Sequence, residues 1–131
     1  MPQGIIELEI HDNLIVMRVS GELSTYLLDE LRRKLEAAVA ESGIYRVLIN
    51  MKRIDYVTSK DLGVMVQIHR FLANELEKHA AESQSENAGE SILALSDLAQ
   101  FIMDIMKTTR LETVFRIYPT EEEAIRDLCP G

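Results

Sequence analysis

Thr58-Ser59-Lys60-Asp61 sets two hydroxyls, an ammonium and a carboxylate in four consecutive residues. The spacing Thr58-x-x-Asp61 is that of a capping box: a hydroxyl accepts an amide proton of the first helical turn and an acid reaches back. A hydroxyl there lies beside free backbone N–H groups and the positive end of the helix dipole, where added negative charge is stabilised. Thr58 and Ser59 both qualify as the cap. Asp55 and Asp61 can be drawn as a carboxylate pair for acid–base work, but read more simply as a turn residue and a capping acid. His11, His69 and His79 fall in a turn, a helix and a polar loop, with no metal-ligand spacing. His69 lies near an apolar seam and reads as partly buried and hydrogen-bonded. There is no Gly-rich phosphate loop, no nucleophile elbow and no Cys/His pair near a predicted strand end. The lone Cys129, beside the C-terminus, reads as an incidental thiol. No catalytic residue, cofactor or metal is expected.

The elements that must position Ser59 follow from periodicity. Val47-Leu48-Ile49 is an apolar run typical of a buried strand. A short basic turn follows, and then a long helix whose seam includes Leu62, Met65, Val66, Leu72 and Leu76. Val64, Ile68 and Phe71 form a second seam. Either both faces are buried, or this one is an apolar docking patch beside Ser59. Upstream, Ile6, Leu8 and Ile10 alternate with Glu7 and Glu9 as a half-buried strand. Asp12-Asn13 makes a hairpin turn to a strand over Leu14 to Val19. Gly21-Glu22-Leu23-Ser24 breaks that strand, and Ser24 can cap a helix marked by Leu27, Leu28, Leu31, Leu35 and Ala38. Gly43 suits its left-handed end.

Downstream, the polar run Lys78–Glu90 offers nothing to pack and reads as a frayed helix end plus a mobile loop. Ile92 to Leu95 is a short strand. Leu98, Phe101, Ile102, Ile105 and Met106 mark a helix, with Ser96 or Asp97 as its cap. Val114, Phe115, Ile117 and Tyr118 form the last strand. Thr120-x-x-Glu123 opens a short helix that buries Ala124, Ile125 and Leu128. The order ββαβαβαβα implies an α/β chain. It should have a mixed, mostly parallel sheet of four to five strands packed by about four helices.

This arrangement resembles the STAS family, which includes anti-sigma-factor antagonists and related domains of anion transporters. Family members carry a D-S-S-G-L-G-type turn after the central strand, whose first serine is the phosphorylation switch. In register stand Thr58-Ser59-Lys60-Asp61-Leu62-Gly63-Val64: Ser59, Leu62 and Gly63 match. Thr58 replaces the family aspartate, Lys60 its second serine and Asp61 its glycine. Gly21-Glu22-Leu23-Ser24 resembles the family's G-x-L-D, with Ser24 for the aspartate. The resemblance runs from about Ile5 to Leu128 and implies one domain over residues 1–131, with about 80–91 an inserted loop.

What it implies for function is a non-enzymatic, cytoplasmic bacterial adaptor. It would bind an anti-sigma factor or serine kinase of the partner-switching type through Thr58, Ser59, Lys60, Asp61, Ser24, Val64 and Ile68 while Ser59 is free, and release it when Ser59 is phosphorylated. Phosphate at a helix start gains about 1 kcal/mol. Asp61 opposes it, since unit charges about 6 Å apart repel by roughly 0.7 to 3 kcal/mol. The alternatives are a non-switching subunit docked on a transporter ATPase, and a small-ligand sensor. A weak homodimer is compatible with each.

Composition narrows the partners. A chain of 131 residues with 47% apolar and 27% charged residues has the balance of an ordinary globular domain. The net charge of −8 excludes nucleic acid and anionic membrane surfaces as expected partners. No run approaches the roughly 20 apolar residues of a membrane span. The first residues lack the pattern of a signal peptide.

Overall fold

The strands lie side by side in the order in which the chain makes them. In the computed structural model, which describes residues 5–83 and 92–129, β1 (Ile5–His11) and β2 (Leu14–Glu22) form an antiparallel hairpin. Its turn places Asp12 at φ 54°, the left-handed backbone that a short polar side chain tolerates. β3 (Arg46–Tyr56), β4 (Ile92–Ser96) and β5 (Arg116–Tyr118) extend it in parallel, in the order β1-β2-β3-β4-β5. Connecting them are α1 (Thr25–Ser42), α2 (Ser59–Ser83) and α3 (Gln100–Thr109), and α4 (Glu121–Leu128) closes the fold.

The sheet has two different faces. Ile15, Met17 and Val19 of β2, Val47, Ile49 and Met51 of β3, and Leu93 and Leu95 of β4 point to one side. There they pack on Leu28, Leu31 and Leu35 of α1, Leu62, Met65 and Leu72 of α2, and Ile102 and Met106 of α3. The residues between them, Leu14, Val16, Leu48, Ile92 and Ala94, point to the other side and meet Ala124 and Leu128 of α4. Burial on both faces is why the central strands read as unbroken apolar runs. α4 has only eight residues, so it covers one end of its face.

Several boundaries differ from those read in the sequence. β3 does not stop at a basic turn: Lys52, Arg53 and Asp55 are strand residues, and the strand runs to Tyr56. β2 likewise passes through Gly21, whose φ of 103° lets an irregular strand continue. α3 begins at Gln100 with Ala99 at its cap and no side-chain cap. Ser96 is buried in β4, and Asp97 sits at φ 58°. Val114 and Phe115 precede β5, following a single 3-10 turn at Leu111–Thr113. α2 continues to Ser83, into the stretch read as loop, because its two alanines and a glutamate favour helix over coil. The rest of that loop lies outside the described residues.

Candidate functional site

Val57, buried against the core, follows the end of β3, and the chain then turns into α2. Thr58 is the cap. Its hydroxyl accepts the amide proton of Asp61 at 3.2 Å and donates to the Asp61 carboxylate at 2.8 Å. The same carboxylate oxygen accepts the Thr58 amide at 3.0 Å. The box is thus closed on itself, and Asp61 is 8% exposed. Of the two hydroxyls that qualified, Thr58 performs the capping.

Ser59 is left with no structural task. It is exposed as the first residue of α2, and its hydroxyl makes no hydrogen bond among the described residues. The Ser59 and Lys60 amides of the first turn have no helical acceptor, whereas that of Leu62 donates to the Thr58 carbonyl at 3.2 Å. Lys60 is exposed next to it. On one flank lies a shallow depression of roughly 430 Å³, formed by Ser59 with Asp104, Ile105, Thr108 and Thr109 of α3.

The loop entering α1 lies at the same end of the sheet. Glu22 pairs with Tyr56, and the Leu23 amide donates to the Tyr56 carbonyl at 2.9 Å. Ser24 caps α1, accepting from the Leu27 amide at 3.3 Å. Tyr26 and Tyr56 at this end are 66% and 52% exposed, and Phe101 on α3 is 41% exposed. The sequence pattern had assigned Phe101 to the buried face of α3, and neither tyrosine was singled out. Tyr26 had a signal, since it falls off the Leu27–Leu28–Leu31–Leu35 face.

The second seam of α2 does not form a surface patch. Ile68 is 1% exposed and belongs to the main core, while Val64 and Phe71 are half-buried against the same core. The reason is placement: α2 is the middle helix of three, so α1 covers one flank and α3 the other. Ile68 therefore sits in the core and not on an exposed patch.

His11 and His69 lie on different elements, and His79 falls within α2 and not in a loop. His11 ends β1 rather than lying in the turn, and its Nε2 is 4.0 Å from the Asp12 carboxylate. His69 is half-buried, its ring edge-on to Phe115 at 6.3 Å. Its Nδ1 is buried without the expected hydrogen bond among the described residues. Among the described residues no group of three or more His, Cys, Asp or Glu gathers where it could hold a metal ion. No helix among them is long and apolar enough to cross a membrane. Burial pushes the Cys129 thiol up, so it is a poor nucleophile at neutral pH.

A charged clamp lies on the opposite face of the sheet. Glu121, in the first turn of α4, accepts two hydrogen bonds from the Arg18 guanidinium at 2.9 Å and one from Asn50 at 3.0 Å. Arg18 also donates to Glu9 at 3.2 Å. The Arg18 guanidinium, aided by Asn50, holds the Glu121 carboxyl below its usual range despite partial burial.

Known proteins share this architecture. The chain is 22% identical over 123 residues to an anti-sigma F factor antagonist of Paenibacillus polymyxa, an alignment covering 94% of this chain and 93% of that one. An anti-sigma factor antagonist from Mycobacterium paratuberculosis superposes with a TM-score of 0.71 at 20% identity, covering 95% and 93% of the two chains. The Bacillus cell fate determinant SpoIIAA in its phosphorylated form superposes with a TM-score of 0.65 at 21% identity, covering 95% and 99%. The STAS domain model matches residues 6–78, from β1 through the Ser59 turn and most of α2. The chain belongs to the STAS domain family.

Proposed function

We propose that this chain is a non-enzymatic, cytoplasmic regulatory adaptor of the anti-sigma-factor-antagonist kind. It binds a serine-kinase anti-sigma factor through the surface around Ser59 and is released when Ser59 is phosphorylated. The observation that carries this reading is the division of labour at the α2 start. Thr58 and Asp61 satisfy each other, so Ser59 can gain a phosphate without uncapping the helix. The phosphate would bring about −2 charge, favoured by the free amides and the dipole and partly neutralised by Lys60. It would also face Asp61 and, across the depression, Asp104. The exposed Tyr26, Tyr56 and Phe101 supply the aromatic contact area typical of interfaces. The names of the similar proteins support the choice of partner.

The test is to identify co-purifying proteins by mass spectrometry and measure the affinity of the kinase among them for wild type, Ser59→Ala and Ser59→Glu. Ser59→Ala should bind like wild type. Ser59→Glu should bind at least about 100-fold more weakly, because a charge buried without a partner costs several kcal/mol. Equal binding by all three overturns the switch.

A further inference from the structure

The strand pairing contains an irregularity with a chemical consequence. Along β3 the core-facing residues are Met51 and Ile54, and the two between them, Lys52 and Arg53, are both exposed. A regular strand sends neighbours to opposite faces. Here the pairing with β2 slips: Arg18 pairs with Asn50, but Ser20 pairs with Arg53, so β3 carries one residue more than β2. Such a bulge re-aims side chains, and bulges concentrate beside functional sites. Its effect is that two adjacent cations line one cleft.

That cleft has a volume of about 300 Å³ and lies where β2 and β3 run on past the short α4. Arg18, Ser20, Asn50, Lys52 and Arg53 line it, with Glu7 on the β1 side. Their charges are not equivalent. Arg18 is neutralised by Glu121 and Glu9. Lys52 and Arg53 make no ion pair among the described residues, and the Ser20 hydroxyl makes no hydrogen bond there. Two unpaired cations and a free hydroxyl donor thus converge in a cavity of small-ligand size, on a chain whose net charge is −8.

We infer that this cleft is a binding site for a small phosphate-type oxyanion, held by Lys52 and Arg53 with Ser20 as an additional donor. Arg supplies a planar fork and Lys a point charge, a pairing suited to a tetrahedral dianion. Glu7 fixes the polarity: the anionic group sits on the β3 side, and the β1 side favours a ligand portion that donates a hydrogen bond. The site lies on the sheet face opposite α2 and does not depend on the reading of Ser59.

The experiment is an amide-resolved NMR titration of the full chain with inorganic phosphate, at ionic strength held constant with chloride. Saturable shifts should centre on Arg18–Ser20 and Asn50–Arg53. The Lys52→Gln/Arg53→Gln variant, altered only at exposed positions, should bind at least about tenfold more weakly. Glu7→Gln should bind more tightly, and Ser59→Ala like wild type. Three results would each overturn the site: equal shifts with acetate, unchanged binding by the double variant, or shifts that centre on the start of α2.

Discussion

Arg18 on β2 and Glu121 on α4 stand 103 positions apart in the chain and meet through two hydrogen bonds of 2.9 Å. The pair anchors the first turn of α4 to a sheet face that the helix covers only in part. Arg18 is more than a third exposed, so solvent screens the interaction. Glu121→Gln should cost about 1 kcal/mol at neutral pH. The pH dependence has a definite sign. A depressed folded pKa contributes stability above the ordinary carboxylate value, and loses it as pH falls through the lowered one. The stability gap between wild type and Glu121→Gln should therefore be full at neutral pH and close in acid. Denaturant melts across that range measure it; a gap that widened in acid would contradict the assignment.

At the α2 start, stability and switching fall on different residues. Thr58→Ala and Asp61→Ala should each cost about 1 kcal/mol, because each opens the capping box. Ser59→Ala should change stability by less than about 0.5 kcal/mol, as for surface sites generally. Thermal melts of the three variants separate the roles.

Two glycine-to-alanine changes should have opposite signs. Gly43 ends α1 at φ 71°, so a Cβ there is strained although no atom lies within 4 Å of it, and Gly43→Ala should destabilise by about 1 kcal/mol. Gly63 lies inside α2 with the same open space around its Cβ position. Gly63→Ala should stabilise by roughly 0.5 to 1 kcal/mol through helix propensity. Urea denaturation reads both.

Core truncations separate the two seams of α2 from a surface. Ile68→Ala should destabilise as strongly as Ile102→Ala, by about 2–5 kcal/mol, since both side chains are essentially fully buried. Val64→Ala should cost less, as Val64 is half-buried. Tyr26→Ala and Tyr56→Ala should leave stability within about 0.5 kcal/mol of wild type while weakening partner binding. Equal losses at Ile68 and Tyr56 in chemical denaturation would reverse the division between core and surface.

Much of the fold was legible because local chemistry and long-range packing agree. The Asp12-Asn13 turn, the caps at Ser24, Thr58 and Thr120, and the end at Gly43 all involve partners within four residues. The missed features depend on what lies across the fold. Lys52 and Arg53 imitate a turn, because two adjacent outward charges occur in a strand only where a bulge meets an uncovered face. The periodicity of α2 named its apolar positions but not its neighbours, so the burial of Ile68 between flanking helices was hidden. Phe101 fits the α3 pattern equally well and yet faces outward, because only one side of that helix meets the core. The candidate site divides the same way. The Thr58–Asp61 box was readable, whereas the meeting of the two tyrosine-bearing segments required the parallel pairing of β2 and β3.

The sheet order β1-β2-β3-β4-β5 has a consequence for how the chain is made. Each strand docks beside the one just synthesised, so the layer of α1, α2 and α3 can assemble progressively on a nascent chain. The opposite face has no such succession. Leu14, Val16, Leu48 and Ala94 wait for Ala124 and Leu128, which emerge after every strand. During that interval the sheet carries an uncovered aliphatic surface, the kind that chaperones bind and that drives aggregation. A ribosome stalled before Glu121 has emerged should hold a chain that is protease-resistant through α3 yet binds a hydrophobic dye, and release of the final helix should abolish the dye signal.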